Sequence, residues 1–162
     1  MNDITLVGEW RSLGLGALPN EDYDFIMFAG VFNGNNKTIK NMMITSLSST
    51  RTSIGGWSDC YAGLFFENTG TISNLKLTNI NINLDKTYAS EFYVGGVTGV
   101  NYGNISDCEV SGNISLNNTN WVNYVGGISG VNTKTISRCF NSANIIFNGG
   151  EGEIGGIARR ML

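Results

Sequence analysis

The sequence predicts an all-β protein, a right-handed parallel β-helix (β-solenoid) of about four coils of 29–33 residues. Three observations carry this. A glycine-bearing segment recurs at a near-constant interval. The segments between alternate polar and apolar residues. No stretch has the 3.6-residue apolar stripe of a helix.

The recurrence is read first, because a period of this size decides the architecture. Ala29-Gly30-Val31-Phe32 leads to Thr38-Ile39-Lys40-Asn41-Met42. Ala62-Gly63-Leu64-Phe65 leads to Thr71-Ile72-Ser73-Asn74-Leu75. Gly95-Gly96-Val97-Thr98 leads to Asn104-Ile105-Ser106-Asp107-Cys108. Gly126-Gly127-Ile128-Ser129 leads to Thr135-Ile136-Ser137-Arg138-Cys139, and a fifth start appears at Gly155-Gly156-Ile157. The second glycines, Gly30, Gly63, Gly96, Gly127 and Gly156, are 33, 33, 31 and 29 residues apart. The chain therefore divides as one domain over 1–162: a partial coil and loop at 1–27, repeats at 28–61, 62–93, 94–124 and 125–153, and an incomplete coil at 154–162.

Within each repeat the period is two. Asn79-Ile80-Asn81-Ile82-Asn83-Leu84 and Asn113-Ile114-Ser115-Leu116-Asn117 alternate strictly, as half-buried strands do. A single coil cannot bury its own apolar face, so coils must stack. Equivalent positions become columns repeating every ~4.8 Å. Three inward columns are expected: Val31, Leu64, Val97, Ile128 and Ile157; Ile39, Ile72, Ile105 and Ile136; Met42, Leu75, Cys108 and Cys139. Asn35, Asn68, Asn101 and Asn132 form an amide ladder in the link between strands, bonding each other and turn backbone groups. The glycine column marks corners needing positive φ or close backbone approach.

Composition narrows the function. Net charge is −3 and charged residues make up 14% of 162, too few cations for a nucleic-acid partner. No apolar run is long enough to insert in a membrane. Histidine is absent, which removes the commonest general base and metal ligand. Three cysteines without a CxxC spacing fit neither a disulfide framework nor a zinc site. No metal or cofactor is expected. The start, Met1-Asn2-Asp3, lacks the basic and apolar stretches of a signal peptide, so an export signal would lie on a longer parent.

Val94-Gly95-Gly96-Val97-Thr98-Gly99 and Val125-Gly126-Gly127-Ile128-Ser129-Gly130 resemble the core of the GLUG-motif repeats. Phe28-Ala29-Gly30-Val31-Phe32-Asn33-Gly34-Asn35-Asn36-Lys37-Thr38-Ile39 is similar to the coil that often precedes them. Such repeats occur in secreted or surface-attached bacterial proteins, including adhesin-like proteins and the non-catalytic region of IgA-specific metallopeptidases. The resemblance implies a β-solenoid and a non-catalytic scaffold or binding module. It implies an extracellular or cell-surface parent, and a protein or glycan partner on a host or neighbouring cell. It carries over no catalytic residue. Lys134 departs from the turn glycine seen at Gly70 and Gly103, and the fifth repeat breaks off, as in an excerpt of a longer array.

Candidate sites are weighed on their chemistry. Cys108 and Cys139 read as small buried hydrophobes, and Cys60 as the more exposed thiol. Asp107 and Glu109 share a strand face, and a carbohydrate-active β-helix enzyme would need such acids. Their expected neighbours are Asn74 and Arg138 beside Asp107, and Lys76 and Phe140 beside Glu109, and the opposite charges of Asp107 and Arg138 instead suggest a cross-coil pair. Asp85, Glu91, Glu151 and Glu153 read as solvated loop charges. The long links between coils should line one edge, carrying Trp57, Phe92 and Trp121 as candidate ligand contacts. Tyr61, Tyr93 and Tyr124 read as a stacked structural column. An ice-binding face would need more threonine than Thr38, Thr71 and Thr135 provide. The uncovered fifth coil predicts end-to-end self-association.

Overall fold

The computed structural model describes residues 2–14, 27–46, 50–52, 58–85, 91–118 and 122–160. It is a parallel β-solenoid of about four turns, with no helix among the described residues. Three sheets run along it. The largest contains Ile4–Thr5, Val31–Lys40, Thr71–Asp85, Asn104–Ser106 and Thr135–Ser137 in that order, and continues through Glu109–Asn118 and Asn144–Gly149. A second stacks Thr50–Thr52, Ser58–Ala62, Glu91–Gly95, Asn123–Gly126 and Gly152–Gly155. The third stacks Phe65–Asn68, Thr98–Asn101, Ser129–Asn132 and Ala158–Arg160. Every named pairing is parallel except that of Thr50–Thr52 with Ser58–Ala62.

From the second coil upward the register follows the repeat. Ile105 lies between Ile72 and Ile136. Ile114 lies between Ile82 and Ile145, and Leu116 between Leu84 and Phe147. Alternation sends these side chains inward, and Ile72, Ile82, Ile105, Ile114 and Leu116 are fully buried. Leu64, Val97 and Ile128 are likewise buried, with Ile157 packed against them at the end. Outward positions are polar, so a one-residue slip would expose the whole apolar set.

The first coil departs from the expected register. Val31 pairs with Thr71 and Phe32 with Ile72, whereas Ile39 pairs with Leu77. Val31 is consequently 80% exposed rather than inward. Met42 lies one position before the Met43–Asn81 pair, beside Ile80 and not Leu75. Leu13, in the N-terminal partial coil, bridges Phe65, and Phe28 bridges Asn68. Aromatic packing sets this offset. Phe32 meets Phe65 edge-on at 5.4 Å and Phe28 meets it at 4.7 Å, an aromatic cluster that alignment on Gly30 would break. The surplus residues are taken up between Asn33 and Lys37, where Asn35 and Asn36 adopt φ of 52° and 55°. Asparagine tolerates this left-handed region better than most residues.

The glycine column is explained by close approach. A Cβ on Gly96 would come within 2.7 Å of the Gly127 carbonyl, and one on Gly127 within 2.4 Å of the Gly156 carbonyl. Gly30 lies outside that column and sits under Gly70, whose Cβ would meet the Gly30 carbonyl at 2.1 Å. Positive φ belongs instead to another column: Asn74 (53°), Asp107 (54°) and Arg138 (50°) turn the chain between two strands.

Candidate functional site

The surface is built from the outward positions of these strands, and the candidate residues separate into four groups. The first is the link edge. The strands leave in register at Leu84–Leu116–Phe147 and return in register at Tyr61–Tyr93–Tyr124, so successive links start and finish along one edge. Trp57 and Trp121 lie outside the described residues. Phe92 does not line this edge: it is fully buried, stacked on Cys60 and under Asn123. Alternation within Glu91–Gly95 forces Phe92 and Val94 inward together, which removes Phe92 as a ligand contact. Cys60 is corrected in the same way. It lies on a strand in the core rather than in an exposed loop.

Tyr61, Tyr93 and Tyr124 form the second group. Their rings stack at 4.7 and 5.1 Å with interplanar angles of 16° and 27°. Tyr61 also stacks on Phe66 at 4.3 Å. Phe66, Val100 and Val131 complete a second apolar cluster, separate from the main core. The Tyr93 hydroxyl donates to the Glu91 carboxylate, and burial with that bond pushes the Tyr93 pKa well up. Ring faces used against each other are closed to a sugar or peptide.

The third group is the amide ladder. Asn68 Nδ2 donates to Asn101 Oδ1 at 2.7 Å, and Asn101 Nδ2 donates to Asn132 Oδ1 at 2.7 Å. Each Oδ1 also accepts a turn N–H two residues on: Gly70 at 3.0 Å, Gly103 at 3.2 Å and Lys134 at 3.4 Å. Asn35 lies outside the ladder. It is exposed in the first-coil bulge, its N–H donating to Asn33 Oδ1 at 2.9 Å.

The fourth group holds the acids and thiols of one corner. Arg138 grips Asp107 with two bonds of 2.7 Å. This guanidinium holds the Asp107 carboxyl below its usual pKa. Lys76 Nζ lies 3.0 Å from Glu109. Both carboxylates singled out for sugar chemistry are thus held by cations of the neighbouring coil. Between them Cys108 points inward and stacks on the rung next to Cys139. Among the described residues, no three His, Cys, Asp or Glu side chains converge to hold a metal ion.

Aligned columns, shared turns and one core running through every coil define a stacked repeat protein. Residues 90–115, spanning much of the third coil, match the GLUG motif, so the chain carries a GLUG repeat there. Comparison with curated proteins and with solved structures gives no match.

Proposed function

We propose that the chain is a non-catalytic scaffold or binding module of a bacterial secreted or cell-surface protein, presenting its link edge to a protein or glycan. The observation that carries this reading is how the polar chemistry is used. Asp107 and Glu109 are neutralised by Arg138 and Lys76, and Asn68, Asn101 and Asn132 bond one another. These groups bind coil to coil, where hydrolysis of a glycosidic bond needs a pair of carboxylates flanking it. The outer strands Thr135–Ser137 and Asn144–Gly149 have no strand above them among the described residues, and Phe140, Ile146 and Ile154 are exposed at that end.

Two measurements test the reading. Incubation with a polysaccharide panel should release no reducing ends, and surface labelling of the producing cells should reach the protein. Reducing-end release abolished by Asp107→Asn would establish an enzyme instead, and labelling only after lysis would overturn the surface assignment.

A further inference from the structure

We propose that Cys108 and Cys139 form a thiol pair that reacts with a low-molecular-weight disulfide and closes into a reversible covalent bond between the third and fourth coils. The pairs Ser106–Ser137 and Glu109–Phe140 place the two cysteines opposite each other on adjacent rungs. Such rungs lie ~4.8 Å apart, inside the Cα window of about 4.4–6.8 Å that a disulfide tolerates. Both side chains point into the solenoid. Cys108 is fully buried above Leu75, and Cys139 packs against the same core. Their thiols donate to Ser106 O at 3.2 Å and Ser137 O at 3.3 Å, bonds that each gives up when the disulfide closes.

The site is asymmetric in the way stepwise exchange requires. Cys108 is fully buried and Cys139 only partly so, which makes Cys139 the more reachable sulfur. The neighbouring Cys108 thiol favours the thiolate of Cys139 and lowers its pKa, while the neighbouring Cys139 and burial push the Cys108 pKa up. In the first step the Cys139 thiolate attacks the small disulfide. Its S–S bond breaks, a mixed disulfide forms at Cys139, and one small thiolate leaves and takes up a proton. In the second step Cys108 loses its proton and its sulfur attacks the Cys139 sulfur, expelling the second small thiol. Two protein thiols are oxidised and one disulfide is reduced to two thiols. Cys60, buried in another sheet against Phe92, takes no part. A bond along parallel rungs must draw Cβ atoms closer than about 4.5 Å, so it belongs to the strained, readily reduced class.

The test is incubation of the full chain with oxidised glutathione, followed by acid quenching, non-reducing digestion and mass spectrometry. The expected product is a Cys108–Cys139 cross-linked peptide with Cys60 still a thiol. Cys108→Ser should stop at a glutathione adduct on Cys139. Cys139→Ser should leave Cys108 unmodified over the same time. Cys108→Ala is run beside Cys108→Ser, and circular dichroism confirms that each variant remains folded; if neither folds, the wild-type peptide map decides. A persistent glutathione adduct on wild-type Cys139, disulfide-linked dimers, or unreacted thiols would overturn the proposal.

Discussion

Replacing Asn101 by alanine probes the ladder at its most enclosed rung. Asn101 is fully buried, as is Asn68 below it. The substitution removes the 2.7 Å bond that Asn68 Nδ2 donates and the 3.2 Å bond from the Gly103 N–H. Asn68 Nδ2 keeps only a 3.4 Å contact with Gly70 O. Two donors are thus stranded in the interior, each costing about 1–3 kcal/mol. With some relaxation the loss should be about 2–4 kcal/mol, a large share of the ~5–15 kcal/mol that holds a domain. Asn132→Ala is the matched control. It removes one ladder bond at the half-exposed end, and Asn101 Nδ2 keeps Gly103 O at 3.0 Å and Thr135 O at 3.3 Å. Its loss should be about 1 kcal/mol. Urea unfolding followed by tyrosine and tryptophan fluorescence separates the two. At a slope of about 2 kcal/mol/M, the midpoints should differ by roughly 1 M. Equal losses, or an Asn101→Ala midpoint matching the wild type, would refute the idea that the ladder satisfies buried donors.

Ile105→Ala should cost about 2–5 kcal/mol, because Ile105 is fully buried between Ile72 and Ile136. Lys76→Ala, which breaks an exposed pair with Glu109, should cost less than about 1 kcal/mol; similar urea midpoints would show the register to be wrong. Asn101→Asp would point carboxylate oxygens at Asn132 Oδ1, Gly103 O and Thr135 O, the acceptors Asn101 Nδ2 now serves. The native state should therefore hold its proton, with a pKa above the ~3.9 of the unfolded chain. Such a variant is most stable below the unfolded pKa and loses stability as pH rises through the folded one; a flat pH profile relative to wild type would contradict this. Arg138→Gly should be more stable than Arg138→Ala by about 1 kcal/mol, since both lose the Asp107 pair but only glycine relieves the φ of 50°. Calorimetry that ranks alanine above glycine would remove the strain argument.

Much of this was legible in the residues because a parallel stack converts sequence period into spatial column. Period-two alternation decided that Ile72, Ile105 and Ile136 face inward together, and that Asn68, Asn101 and Asn132 share a corner. Column alignment suggested the Asp107–Arg138 pair that the structure contains, and the structure adds the Lys76–Glu109 pair. The first coil was not legible, because Gly30-Val31-Phe32 looks like Gly63-Leu64-Phe65 over a few residues, and local likeness carries no information about where the aromatic rings go. The burial of Phe28 and Phe32 around Phe65 decided that register, with the Asn35-Asn36 bulge absorbing the surplus. The same limit applies to Phe92 and Cys60. Their segment is a short strand entered from a long link, so its inward face became visible only once it was paired with its neighbours. Nor does the sequence by itself mark Asp107 and Arg138 as left-handed, since neither is glycine and only the aspartate shares asparagine's tolerance of that region. Their backbone is set by the coils above and below: stacking requires the same turn on every rung, and residues that resist it are held there by the bonds of the whole column.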